Sequence, residues 1–320
     1  MSRLPTTDLY FYNACAHRIQ RWWRAGPIHA LGANSFQCGD AFILIRRDTD
    51  ELMARALRWP GRLIYLIDDD VAGAAASADL PDDYRRRLAA FDRDYHRPMV
   101  ARADHLLVAS AALRAVFAGH PAITEIDPFW SLPLADTVHF LAPGVIELAH
   151  LGSGSHAGGL ALLQPVLLRL LDSGRDLRFT FIAKAGVHPA LDAHPRAQRI
   201  APRSWPRYRH WLRRQRFHMG LYPLADTPFD RARSANKLIE HGIVGAVGVY
   251  PANWLPAQRI GDGAILAPDS PADWFDTLAT RIDHPQLLVE PALVAGDQLP
   301  AINNLAMQRA TWSTLLNIAM

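Results

Sequence analysis

Residues 221–250, "LYPLADTPFDRARSANKLIEHGIVGAVGVY", decide how the chain is read. An apolar run (218–224), a dense polar cluster (226–242) and a second apolar run (246–250) follow one another almost without a spacer. Short apolar runs bounded by turn-forming residues are typical of strands buried on both faces. A helical segment between two of them makes a β–α–β unit, and hence a parallel sheet. The helix is expected over 234–242, with Asp230 or Ser234 as its cap and Gly242 as its stop. Spacings of three put Ser234, Lys237 and Glu240 on one helical face.

The rest of the chain repeats this pattern. In the first half, strands are expected at 41–45, 62–67 and 105–109, with a long charged helix over 82–102. After the loop "LAPG" the pattern restarts, with strands at 146–151, 177–183, 198–200, 218–224, 246–250 and 264–267. Helices are expected at 158–171, 205–217 and 271–282. The alternation gives an α/β class with parallel sheets, and the restart gives two Rossmann-like domains. The expected boundaries are 1–135 and 136–299, joined through the Pro- and aromatic-rich "DPFWSLPLADTVHFLAPG", with a final helix over 300–320 that packs back on the first domain.

With 320 residues, half of them apolar, two full cores can be built. Charge is nearly balanced, 34 basic against 31 acidic residues, so nothing argues for nucleic-acid binding. Two cysteines, Cys15 and Cys38, make neither a disulfide framework nor a metal-ligand spacing, and no apolar run reaches spanning length. The expectation is a cytoplasmic protein, at most peripheral to the inner face of a membrane. Arg18, Arg21, Trp22, Trp23 and Arg24 suit a membrane surface; a helix that packs its tryptophans into its own core is the simpler alternative.

Three constellations carry chemistry. "HLGSGSHAGG" (150–159) is a strand end, a glycine-and-serine loop and a helix start, so Gly152, Ser153, Gly154 and Ser155 offer backbone N–H groups to a diphosphate, with His156 at the helix N-terminus. An ordinary tight turn explains the same residues. "IDDDVAG" (67–73) puts Asp68, Asp69 and Asp70 at a strand's carboxyl end, where a catalytic base, a metal site or a simple helix cap by Asp69 or Asp70 are alternatives. The third is the opening stretch, whose hydroxyl, ammonium and carboxylate match a nucleotide sugar, with a solvated helix face as the plain alternative. Only two lysines, Lys184 and Lys237, occur among the basic residues, which flags both as positions that call for a compact ammonium, with chance as the alternative.

From Pro223 to Gly245 the sequence resembles the donor-binding segment of the GT-B glycosyltransferases of the retaining group 1 (family 4-like) type, whose pattern is "PL-x-D-x-x-F-N-x-x-K-S-x-x-K-x-x-E-Y-x-x-x-G-x-P-V". Looser similarity covers 145–285, "LIYLIDDD" and "ADHLLVASAALRAVF". The resemblance implies two Rossmann-like domains facing each other across a cleft, the N-terminal one reduced. It also implies metal-independent transfer of a hexosyl-type sugar, without a cofactor, from a nucleotide-sugar substrate to a glycan or lipid-linked glycan acceptor in surface polysaccharide assembly. Glu240 would accept the ribose hydroxyls. Lys237 and Arg231 would face the diphosphate, and Asp226, Ser234, the 152–155 loop and Lys184 would complete the donor site. His156, Asp69 and Asp70 are the catalytic candidates, and no metal ligand is expected. Asp230 stands where the family has asparagine, and Val247 where it has proline. A catalytically inactive relative that binds a nucleotide or glycan, or scaffolds a partner glycosyltransferase, is the alternative.

Overall fold

The computed structural model describes residues 3–320 except 142–143, 153–155 and 269, and leaves the side chain of Ala157 undescribed. The chain divides into two compact units. One comprises Met1–Ser131, Thr227–Ala235 and Ile302–Met320, the other Leu132–Asp226 and Asn236–Ala301.

The first unit is built on six strands in the order β1 (Ile28–Ala30), β2 (Ser35–Cys38), β3 (Ala41–Ile45), β4 (Leu63–Ile67), β5 (His105–Val108), β6 (Ile123–Glu125). The runs "AFILI" and "LIYLI" form β3 and β4, every residue of which is buried, as strands covered on both faces must be. From β3 to β6 all pairings are parallel. Edge strand β1 and its neighbour β2 pair antiparallel, as do β2 and β3, and sequence reading missed both β1 and β2 because neither is long or apolar enough to stand out. The expected helix over 82–102 is present but widens into a π-helical turn at Asp92–His96 between Asp82–Phe91 and Arg97–Arg102. The widened turn buries both Asp92 and His96, with His96 Nδ1 2.9 Å from the Tyr65 hydroxyl.

The expected C-terminal helix is two helices, Val289–Ile302 and Leu305–Leu316, separated at Asn303 and Asn304, where the Asn304 side chain caps the second. Asn303 takes the Trp130 N–H at 2.7 Å. In the second helix Trp312 donates to the Tyr10 carbonyl at 2.7 Å, and Gln308 donates to the carbonyls of Leu9 and Asp127 at 2.8 and 2.9 Å.

Trp22 and Trp23 do not pack into a core helix. They occupy the tip of a two-residue turn closed by reciprocal backbone hydrogen bonds between Arg21 and Arg24, at 2.8 and 3.1 Å. The arginines are the anchors here. Arg24 donates to the carbonyls of Ala16 and Ile19, and Arg21 donates to the Tyr12 hydroxyl at 2.6 Å.

The second unit holds six strands, all parallel, in the order β12 (Ala264–Ala267), β11 (Val247–Pro251), β10 (Met219–Leu221), β7 (Ile146–His150), β8 (Leu177–Ile182), β9 (Ala197–Ile200). The winding runs outward from β7 through β8 to β9, then returns to β7's other side with β10. The order therefore reverses between β7 and β10, and the carboxyl ends of these two strands flank the crevice where doubly wound sheets take ligands. Leu160, Leu163, Leu167, Phe179, Phe181, Leu221, Val249 and Leu278 are among the buried side chains of its core.

The helix of the opening stretch runs Asn236–Ile243, two residues later than expected, and Asp230 lies too far before it to be its cap. Thr227 instead caps a separate short helix, Pro228–Arg231, by accepting the Asp230 N–H at 3.1 Å. Gly242 is not the stop. It lies inside the helix, where a Cβ would stand 2.4 Å from Leu299 Cδ1, so its value is close packing. Gly245 turns the chain instead, with φ at +70°, a conformation that favours glycine.

Candidate functional site

At the switch point of the second unit, β7 ends at His150 and hands on to Leu151 and Gly152. The Lys237 ammonium donates to the Leu151 carbonyl at 2.9 Å and to Glu240 Oε2. The other carboxylate oxygen, Oε1, accepts from the Tyr208 hydroxyl at 2.6 Å. Lys237 and Glu240 are both buried. Thus the i, i+3 pair expected from spacing is present, but as a buried ion pair tied to the strand end, not as a solvated helix face. Burial and the Glu240 carboxylate push the Tyr208 pKa well up, so the phenol keeps its proton and remains a donor.

Two histidines sit beside this cation. His241 Nδ1 is 2.9 Å from the Tyr250 hydroxyl, and burial, then Lys237 and His150, lowers its pKa. His150 is 1% exposed, and neither ring nitrogen has a hydrogen-bond partner among the described residues. Burial, then the charges of Lys237 and His188, pushes its pKa down to about 3. Both rings are neutral at pH 7, which leaves Lys237 as the positive charge of the cluster. The glycine after the strand is required by packing: a Cβ on Gly152 would lie 2.5 Å from His156 Cβ and 2.7 Å from His150 Cε1.

The His150 environment has a testable consequence. In the unfolded chain a histidine titrates near 6.5, in this fold near 3. Between those values the unfolded state binds a proton that the folded state excludes, so stability is full above the upper value and falls as pH drops. At pH 4.5 this group should cost about 2–3 kcal/mol relative to pH 7. His150→Leu should remove that share of the acid sensitivity, read as a smaller shift in urea midpoint between pH 7 and 4.5. An unchanged shift would show that the buried ring is not the titrating group.

In the first unit, the carboxyl ends of β3 and β4 carry a second charged cluster. Arg46 lies 3.3 Å from Asp68 through Nη1 and 2.7 Å from Asp69 through Nη2. Asp68 also accepts from the Thr6 hydroxyl. Asp69 meets Arg233 at 3.3 Å, and Arg233 lies 3.6 Å from Asp230. Burial pushes the Asp68 carboxyl up. Burial opposes ionisation of Asp69 too, but the guanidinium groups of Arg46 and Arg233 hold it below the ordinary carboxylate range. Asp70 stands apart from both: it caps helix Val71–Ala76 by accepting the Gly73 N–H at 2.8 Å. Among the described residues no group of three or more His, Cys, Asp or Glu side chains is arranged to hold a metal ion.

The remaining candidates are scattered. Asp226 accepts from Asn253 at 2.9 Å in the second unit. Ser234 and Arg231 group with the first unit, and Ser234 hydrogen-bonds the buried Tyr10 hydroxyl rather than sharing a face with Lys237. Arg231 is exposed, as is Lys184 in the loop after β8. His156 stands at the start of helix Ala157–Asp172 with its ring 5.4 Å from Tyr222. Ser153, Gly154 and Ser155 lie outside the described residues. Asp230, the misfit to the family pattern, accepts from the Thr227 hydroxyl at 3.1 Å, and its carboxyl is pushed up by burial. Sequence reading missed Tyr208, His150, Arg46 and Arg233. Arg233 alone offered a signal, as the second arginine of the polar cluster.

Two six-stranded sheets, mostly parallel and flanked by helices, define the class: the fold is that of the GT-B glycosyltransferases. Among solved structures, HepE of Anabaena in complex with UDP and glucose superposes at a TM-score of 0.61 with 13% identity over 86% of this chain and 77% of that one. A UDP-forming α,α-trehalose-phosphate synthase from Burkholderia vietnamiensis gives 0.57 and 14% over 86% and 73%. TarM of S. aureus gives 0.59 and 11% over 86% of this chain, which spans about half (54%) of TarM. No family model matches the chain, and no curated protein matches it in sequence.

Proposed function

We propose that the protein is a glycosyltransferase that moves a sugar from a nucleotide-diphosphate donor, bound by the second unit, to a glycan or lipid-linked glycan acceptor in surface polysaccharide or glycoconjugate assembly. The observation that carries this reading is the buried Lys237–Glu240 pair at the β7–β10 switch point of an all-parallel sheet. An ammonium there offsets charge growing on a departing diphosphate. A carboxylate has about four lone-pair sites, so Glu240 keeps capacity for ribose hydroxyls besides its bonds to Lys237 and Tyr208. UDP and UDP-glucose occur in the HepE structures, which makes a uridine nucleotide the first donor to try. The transfer is proposed as metal-independent, with Asp69 on the acceptor side and His156 beside the donor.

Calorimetric titration with UDP, GDP and ADP, followed by a nucleotide-sugar panel assayed for hydrolysis and transfer, tests this. One nucleoside diphosphate should bind, and Glu240→Gln, which keeps the shape but not the charge, should weaken it by about 1.5–3 kcal/mol, roughly ten- to hundredfold. If no nucleotide binds, the reading fails. Binding with neither hydrolysis nor transfer would favour the alternative of an inactive nucleotide- or glycan-binding relative that scaffolds a partner transferase. That alternative draws support from Glu240 itself, since both of its oxygens are already hydrogen-bonded within the chain.

A further inference from the structure

Nine tryptophans occur in the chain, and seven are buried or half-buried. The other two are adjacent and at the tip of one turn: Trp22 is 92% exposed and Trp23 64%, with their rings edge-to-face at 5.1 Å. The turn is a built feature. Its stems are closed backbone to backbone, and the guanidinium groups of Arg21 and Arg24 lash it to Tyr12, Ala16 and Ile19. Exposure of two such side chains is unfavourable in water unless something covers them.

We infer that the Trp22–Trp23 turn is a docking point for an anionic lipid bilayer surface. Charge favours this occupant. From Leu9 to Gly39 the sequence has no aspartate or glutamate, while Arg18, Arg21 and Arg24 lie within six residues of one another around the turn. Cations of this kind are drawn to anionic headgroups, and indole rings settle at the boundary between headgroups and acyl chains. Shape favours it as well. Two indoles cover about 150–250 Å² each, less than the ~800 Å² per partner of an ordinary protein interface, whereas a bilayer accepts a protruding tip. Among the described residues no helix is long and apolar enough to cross a membrane, so contact of this kind is superficial. The inference is independent of the transferase reading, though it would bring the protein to where a lipid-linked acceptor lies.

Sedimentation of the full-length protein with vesicles of phosphatidylcholine alone, or mixed with phosphatidylglycerol, tests it. The protein should pellet with the mixed vesicles far more than with the neutral ones, and less as salt rises. The W22S/W23S variant should bind the mixed vesicles roughly tenfold or more weakly with an unchanged melting temperature, because both side chains are exposed. Three results would overturn the inference: no preference for anionic vesicles, equal binding by W22S/W23S, which would reduce the attraction to general basicity, or tryptophan-dependent self-association in ultracentrifugation without vesicle binding, which would make a second copy the occupant.

Discussion

Lys237→Ala should destabilise the protein by about 3–5 kcal/mol, the range found when one member of a buried ion pair is removed. The side chains of Lys237 and Glu240 are 11% and 5% exposed, so solvent can do little to replace the lost ammonium. Glu240 would keep the Tyr208 hydroxyl as donor but would stand as a charge in a buried site beside two histidines that burial keeps neutral. The Leu151 carbonyl would lose its partner at the same time. The double substitution Lys237→Met/Glu240→Gln should cost much less than the two single ones added together, because it removes both charges and leaves a neutral amide for Tyr208. Urea unfolding followed by circular dichroism measures all three. Lys184→Ala serves as the control, since that lysine is exposed and its loss should fall within about 0.5 kcal/mol. Equal behaviour of the two lysines would show that the pair at the strand end is not a buried unit. Lys237→Arg is not a safe substitute, because a planar fork does not fit where one compact ammonium serves a carbonyl and a carboxylate together.

The contrast between the two lysines also shows what could be read in advance. The scarcity of lysine marked both, but only packing separates the buried one from the exposed one. Strands such as β3, β4 and β11 were legible because strands buried on both faces are near-continuous apolar runs. Strands β1 and β2 were not, because they are only three and four residues long and His29, Ser35 and Gln37 break up their apolar character. Helical spacing correctly placed Lys237 and Glu240 side by side, for that contact is local. It failed for Ser234, which precedes the helix, and could not foresee the contacts of Arg46 with Asp68, Tyr208 with Glu240 or Arg233 with Asp69, which span 22 to 164 residues. The third reading of "IDDD", a helix cap, describes Asp70, while Asp69 belongs to an arginine-bound cluster that no spacing rule foretells. Trp22 and Trp23 reversed the simpler expectation because the neighbouring arginines, which can bond backbone carbonyls, hold the segment in a turn.

Arg46→Gly is the sharpest test of that arginine-bound cluster, since the substitution pulls in two directions. Arg46 has φ at +58°, the left-handed region, where a non-glycine residue costs about 1–2 kcal/mol that glycine does not. Against that gain stands the loss of a guanidinium whose two nitrogens reach Asp68 and Asp69 separately. Leaving Asp69 with Arg233 alone and Asp68 with the Thr6 hydroxyl should cost about 3–5 kcal/mol, so the ion pairs win and the variant should be less stable by roughly 1–4 kcal/mol at pH 7. The sign of the pH dependence follows from the carboxyl groups. In the native chain Asp69, held low by Arg46 and Arg233, adds stability above the ordinary carboxylate range that is lost as pH falls through its folded value. Asp68, pushed up by burial, has the opposite sign: its charge is a cost above its folded value, relieved as it takes up a proton. Without Arg46 both groups move upward, so the deficit of the variant should shrink between pH 7 and pH 5; His96, whose pKa burial and then Arg46 and Arg97 depress, moves upward too and adds to the same trend. Arg46→Lys should fall between the two, as it retains one charge but cannot reach both carboxylates at once, and keeps the unfavourable φ. Urea midpoints of the three proteins at the two pH values decide the matter. A deficit that is constant with pH would mean that Arg46 stabilises the fold by packing and not through Asp68 and Asp69.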